Sequence, residues 1–185
     1  MNEKEVGELR RRFKSEKSSI THIFGCYVND SRQILAEFDR QDIKHPISKL
    51  LVGDYMNYDN PRVIVDRKQN LSELCSNVTS DHERFRREML LAQQNEIQLI
   101  FLCEHGKGIK SMADVMFWEN PRRWKRRKNP DTGRWEEVET KATTGETLCK
   151  ILQTQERKYG CRFLFCDKEE TGKRIIQILG GTYDI

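Results

Sequence analysis

The sequence predicts an α/β fold, and three observations carry that reading. Strand-like and helix-like stretches alternate from residue 49 onward. Ile97–Cys103 is apolar throughout most of its length, as expected of a central strand buried on both faces. The stretches from Thr144 to Tyr159 and from Thr171 onward read as helices; the second carries Ile175, Ile176, Ile178 and Leu179.

The bulk numbers are compatible with this. A chain of 185 residues is enough for one domain with a real core and an appended segment. Hydrophobic residues make up 36% and charged residues 34%, with both signs present, which argues against wholesale disorder. The net charge of +4 permits a nucleic-acid partner without requiring one. No stretch is long and apolar enough to span a bilayer, and Met1–Val6 lacks the apolar run of a secretory signal. A soluble protein of the cytoplasm, with no membrane partner, is expected. The six cysteines, at 26, 75, 103, 149, 161 and 166, form no C-x-x-C pair. They read as small buried hydrophobes in a reducing compartment rather than as zinc ligands.

Taken in order, residues 3–17 are charged and helix-permissive, with Val6, Leu9 and Phe13 forming a thin apolar stripe. Ser18–His22 reads as a break and Ile23–Val28 as a short strand. Asn29-Asp30-Ser31 offers turn or N-cap chemistry for a helix whose buried face is Ile34, Leu35 and Phe38. Lys49–Val52 reads as a strand closed by Gly53, Tyr58–Pro61 as a turn, and the β-branched run Arg62–Asp66 as the next strand. The result is a hairpin with Asp54 at the end of one arm and Asp66 at the end of the next. Asn70 caps a helix through Leu71, Leu74 and Val78, and a second helix from Asp81 to Asn95 turns Phe85, Met89 and Ala92 inward. Residues 119–141 look like an insertion, basic from Arg122 to Lys128 and turning at Pro130–Gly133. Cys161–Cys166 is a short buried strand, and Gly180-Gly181 ends the last helix.

Chemistry is concentrated in Gly53-Asp54-Tyr55 and Asp66-Arg67-Lys68. Phosphodiester hydrolysis uses a divalent ion to neutralise the phosphate and activate water, and two carboxylates at neighbouring strand ends can hold one. Residues i and i+2 of a strand share a face, so Asp66 and Lys68 project together. In a chain this rich in charge, the same spacing also reads as a turn residue after Gly53 and a solvated strand end.

The longer pattern is more specific. Val52-Gly53-Asp54-Tyr55 followed by Val65-Asp66-Arg67-Lys68 resembles the G-D-Y and (V/I)-(E/D)-R-K motifs of the XPF-type nuclease domain, the excision-repair cross-complementation group 4 family. The resemblance runs on through Asn70–Leu74, Glu83-Arg84-Phe85, Leu99–Glu104 and Phe165–Lys168, covers roughly residues 33–180, and is nearest to small bacterial and phage members. It implies a restriction-endonuclease-like PD-(D/E)XK core, a mixed sheet flanked by helices, and a DNA endonuclease dependent on Mg2+ or Mn2+. By that resemblance Asp54 and Asp66 are metal ligands, Lys68 is the catalytic lysine and Arg67 supports the site. Glu73, before Leu74, matches the family's acidic helix residue one position late. Members specific for branched DNA act as dimers with an added helix-hairpin-helix domain. No such pattern is read here, so structure-specific cutting is not expected; a homodimer stays open.

The departure lies upstream. The family's first strand ends in D-x-R-E, whereas this chain has Asp30-Ser31-Arg32-Gln33. Asp30 also stands about two helical turns, roughly 11 Å, too close to Asp54. Residues 1–32 instead resemble the start of an unrelated, uncharacterised bacterial family, in Glu8–Phe13 and Gly25–Asn29. The expected organisation is an atypical segment at 1–32 and a nuclease domain at 33–185. In the insertion, Arg122, Arg123, Lys125, Arg126, Arg127 and Lys128 are candidates for phosphate contact, with Trp124 and Trp135 for stacking on bases. An exposed loop with no partner is the plainer reading. A non-catalytic DNA-binding module with an incomplete metal site is the main competing function. An interaction protein that docks through its charged N-terminal helix is a third.

Overall fold

The computed structural model describes residues 20–25, 31–106 and 108–180. The helix expected over 3–17, the second half of the strand expected over 23–28, Asp30 and Gly181 lie outside them.

The strands are β1 (Ile23–Gly25), β2 (Tyr55–Asn57), β3 (Asn60–Lys68), β4 (Gln98–Glu104), β5 (Trp124–Lys128), β6 (Trp135–Glu139) and β7 (Arg162–Cys166). The helices are α1 (Arg32–Arg40), α2 (Leu71–Thr79), α3 (His82–Gln94), α4 (Gly145–Tyr159) and α5 (Thr171–Leu179). Five strands form one sheet in the order β1-β2-β3-β4-β7. The pairs β1–β2 and β2–β3 are antiparallel, and β3–β4 and β4–β7 are parallel. This is the mixed sheet that the family resemblance implies.

Both faces of the sheet are covered because β4 alternates. Leu99, Phe101 and Cys103 pack into a core with residues of α2, α3 and α4. Ile100 and Leu102 face the other way, into a core with Ile34 and Phe38 of α1 and Ile175, Ile176, Ile178 and Leu179 of α5. The helices begin where their caps predict. Asn70 Oδ1 accepts the Glu73 N–H at 2.9 Å, and Thr144 Oγ1 accepts the Thr147 N–H at 3.2 Å. The described cysteines, at 75, 103, 149, 161 and 166, are buried with free thiols.

One expected strand is absent. Residues 49–52 are irregular, and β2 starts only at Tyr55, so Asp54 stands just before its arm rather than at the end of one. The cause is Gly53, whose φ of +63° turns the chain out of extended geometry. Upstream, residues 44–48 run beside β1 without forming a strand: Lys44 and Ile47 make isolated bridges to His22 and Gly25, and the Ile23 N–H donates to Lys44 O at 2.9 Å.

The insertion is an ordered ribbon, not an irregular loop. β5 and β6 pair antiparallel, and every residue of both strands is exposed. The register sets Arg126 opposite Glu137 and Arg127 opposite Glu136, while Lys125 faces Val138 and Lys128 faces Trp135.

An aromatic stack ties the central strands to α3. The Phe101 ring lies 4.6 Å from Phe85 and 5.0 Å from Phe163, centroid to centroid. Phe101→Ala removes the middle ring from a fully buried site, and the expected loss is about 3–5 kcal/mol of unfolding free energy. Urea denaturation of the variant checks this; a loss below about 1 kcal/mol would mean that the stack is not packed as described.

Candidate active site

Gly53 fixes the entry to the site. A Cβ there would meet Ile64 Cγ2 at 2.7 Å, in a backbone conformation that other residues rarely adopt. The turn it makes lays Asp54 along β3. The Asp54 N–H donates to Val65 O at 2.8 Å, and Asp54 Oδ2 accepts the Arg67 N–H at 2.8 Å. Asp66 and Lys68, two apart on β3, pair at 2.6 Å between Nζ and Oδ1, and both are buried. Apart from this ammonium, the buried Asp66 Oδ1 takes no hydrogen bond among the described residues. The Lys68 Nζ rests 5.6 Å from the Phe85 ring and 5.7 Å from the Phe101 ring, so the aromatic stack is its floor. Between them, Arg67 Nη1 reaches Glu104 Oε1 at the end of β4, 3.2 Å away, and both side chains are buried.

These side chains line one cleft of about 380 Å³. Asp54, Asp66, Arg67, Lys68 and Glu73, all anticipated from the sequence, are brought together there. Glu73 is engaged locally, accepting the Gln69 N–H at 2.8 Å. Two residues not anticipated join them from α3: Arg84 and Glu88. Glu88 Oε1 accepts the Gly53 N–H at 3.1 Å. The available signal was spacing, since Glu88 follows the inward Phe85 by three residues and flanks the buried face.

The electrostatics follow from burying acids together. Burial pushes the Asp66 carboxyl up to about 8, with Lys68 pulling it down and the charges of Asp54 and Glu88 pushing it further. Burial also raises Asp54, against the Arg67 N–H bond and the Lys68 charge. For Lys68, burial favours the neutral amine, but Asp66, Glu88 and Asp54 outweigh it and hold the ammonium above its ordinary range.

Among the described residues no three His, Cys, Asp or Glu groups already converge on one point as a closed metal cage. The donor set nevertheless fits a hard cation. Asp54 and Asp66 offer carboxylate oxygens to one cleft, and apart from the Lys68 ammonium Asp66 Oδ1 takes no hydrogen bond among the described residues. Mg2+ and Mn2+ suit carboxylate oxygens, and Mg2+ is ordinarily held by one or two carboxylates while keeping several waters.

The basic candidates, Arg122, Arg123, Lys125, Arg126, Arg127 and Lys128, do not line the cleft. Arg123 pairs with Glu139, and Arg122 Nη1 donates to Ser76 Oγ on α2 at 2.8 Å. The exposed Trp135 ring lies 5.9 Å from the Arg126 guanidinium.

Known proteins share a sequence pattern and the fold with this chain. The sequence pattern of the ERCC4 domain family matches residues 28–179. A second pattern, a domain of unknown function designated DUF4317, matches residues 1–45, which includes the N-terminal segment and extends past α1. Among solved structures, the chain is similar to XPF from Aeropyrum pernix, at a TM-score of 0.57 and 13% identity, covering 87% of this chain and 64% of that one. It is also similar to XPF from Aeropyrum pernix in complex with DNA, at a TM-score of 0.56 and 15% identity, covering 88% and 64%. The chain thus spans somewhat less than two-thirds of each of those structures. Comparison with curated protein sequences returns no match.

The buried Arg67–Glu104 pair generates a stability prediction. Arg67→Ala leaves the Glu104 carboxylate buried and unpaired, so the expected loss is about 3–5 kcal/mol. A double replacement by apolar residues of similar volume should recover most of it. Denaturant unfolding of the single and double variants gives both numbers, and a double variant no more stable than Arg67→Ala would show that the loss does not come from an unpaired Glu104.

Proposed function

Because this chain belongs to the ERCC4 domain family, the XPF-type nuclease domain, we propose that it is a metal-dependent DNA endonuclease acting in the cytoplasm of a bacterium or an infecting phage's host. The observation that carries this reading is the convergence of Asp54, Asp66 and Lys68 on one cleft, with a buried Asp66 oxygen that takes no hydrogen bond besides the Lys68 ammonium.

Asp54 and Asp66 are the residues that would hold Mg2+ or Mn2+. Such an ion, when bound, neutralises charge on the scissile phosphate and lowers the pKa of the attacking water. The protein's own contribution is positional. Gly53 and the Arg67 N–H fix Asp54. Glu104 fixes the Arg67 side chain. The Phe85 and Phe101 rings support Lys68 from below, and its acidic neighbours keep it protonated. An ammonium in that place can bind a phosphate oxygen and stabilise the charge that develops there.

A second reading, a DNA-binding module with an incomplete ion site, draws on α1. Gln33 occupies the family's glutamate position, is exposed, and lies outside the cleft. Asp66→Asn separates the two readings. For an endonuclease, cleavage of supercoiled DNA in Mg2+ falls to background while the dissociation constant for duplex DNA changes less than about three-fold, roughly 0.6 kcal/mol. Wild-type protein that binds DNA but never cuts it, in either Mg2+ or Mn2+, supports the module instead.

The ribbon is the proposed DNA contact outside the cleft, and its register selects the residues. Lys125 and Lys128 have no acidic partner directly opposite, whereas Arg126 and Arg127 do. Replacing Lys125 and Lys128 with Ala should weaken DNA binding and lower the salt slope by about 0.9 for each phosphate that is no longer neutralised. Replacing Arg126 and Arg127 should change the slope less. Titrations by fluorescence anisotropy at several salt concentrations read this, and a slope unmoved by either pair would remove the ribbon from the interface.

A further inference from the structure

Glu88 reaches the cleft from α3, a helix outside the Gly53–Tyr55 and Asp66–Lys68 motifs. Four carboxylates line the cleft: Asp54, Asp66, Glu73 and Glu88. The cations do not balance them. Arg67 is taken by Glu104, and Arg84 is exposed, which leaves Lys68 as the buried positive charge facing Asp54, Asp66 and Glu88. Excess negative charge in a partly buried site is costly unless a cation compensates it.

A second observation, independent of the acid count, is the Asp66 Oδ1 atom. It is buried, and besides the Lys68 ammonium 2.6 Å away it takes no hydrogen bond among the described residues. Glu88 also has an oxygen to spare. Its Oε1 accepts the Gly53 N–H at 3.1 Å, and among the described residues Oε2 takes no hydrogen bond. The peptide it holds is the one whose left-handed turn sets Asp54 in place.

We infer that Glu88 is an outer carboxylate of the divalent-ion site, holding Gly53 with one oxygen and lending its charge to the ion without direct coordination. This rests on Asp54 and Asp66 being ion ligands. It supplies from α3 an acidic group in place of the one that Gln33 does not deliver. With no three acids converging on one point among the described residues, the ion would feel Glu88 through one of the waters that magnesium keeps.

Glu88→Gln tests this, because the amide keeps an oxygen to accept the Gly53 N–H and keeps the side chain's size while removing the charge. Mn2+ binding to the full chain without DNA, measured by calorimetry and by the electron paramagnetic resonance of free Mn2+, is the primary readout. Changing groups around a metal site costs about 10–100-fold in affinity, so a loss of at least about ten-fold is expected. The metal-free variant should melt no lower than wild type, since the removed charge was repelled by Asp54 and Asp66. Wild-type Mn2+ affinity, or a metal-free melting temperature lowered by several degrees, would overturn the inference and leave Glu88 as a structural acceptor. Asp66→Asn, measured alongside, keeps the two levels apart. If it loses Mn2+ while Glu88→Gln does not, only the role of Glu88 fails. If Asp66→Asn also binds Mn2+ like wild type, the ion site itself fails.

Discussion

The organising constraint is a charged pair buried at the end of a central strand. Asp66 and Lys68 are among the few buried charged residues described here, and neither would be stable there alone. Their desolvation must be offset by packing elsewhere, and the structure puts its densest aromatic contact directly beneath them. Phe101 comes from the next parallel strand, Phe85 from the helix above it and Phe163 from the strand beyond. Strand pairing brings Asp66 opposite Phe101 and Lys68 opposite Cys103, so sheet register and site geometry are one constraint. Slipping β3 by one residue would send both charges to the opposite face.

Much of this is legible in the sequence where the physical signal is local. Arg62–Asp66 is β-branched and forms the core of β3. Asn70 is placed to cap, and it caps; Phe85, Met89 and Ala92 have helical spacing, and all three are buried. The XPF-type motif groups Asp54 with Asp66 and Lys68 on sequence alone. Where the signal is not local, the sequence misleads or stays silent. Lys49–Val52 has strand-like composition, but a positive φ at Gly53 and the lack of a continuous partner keep it irregular. Glu88 looks like any charged residue on a solvated helix until packing turns α3 so that it faces Gly53.

The ribbon shows the same limit for charge. Read along the chain, Arg122–Lys128 is a block of positive residues. Folded, it lies beside a strand bearing Glu136, Glu137 and Glu139, and the antiparallel register sets two of its arginines against direct acidic neighbours. The field of the segment is therefore weaker and more patterned than its composition suggests. What stays exposed is a mixed surface of tryptophan, lysine and shared arginine, suited to contact with an aromatic or phosphate-bearing partner at short range rather than to long-range steering.

The position of β1 separates the border of the sheet from its chemistry. It occupies one end of the strand order, with β2, β3 and β4 between it and β7. It falls within the stretch matched by the DUF4317 pattern and before the first residue matched by the ERCC4 pattern. It pairs with β2 on one side, bonds on the other to residues 44–48 (the Ile23 N–H to Lys44 O at 2.9 Å and the Ser48 N–H to Gly25 O at 3.0 Å), and buries Ile23 fully. Asp66 and Lys68 lie on β3, two strands in from this border, so the register that places them is set by β2 and β4 rather than by the segment that leads into the sheet.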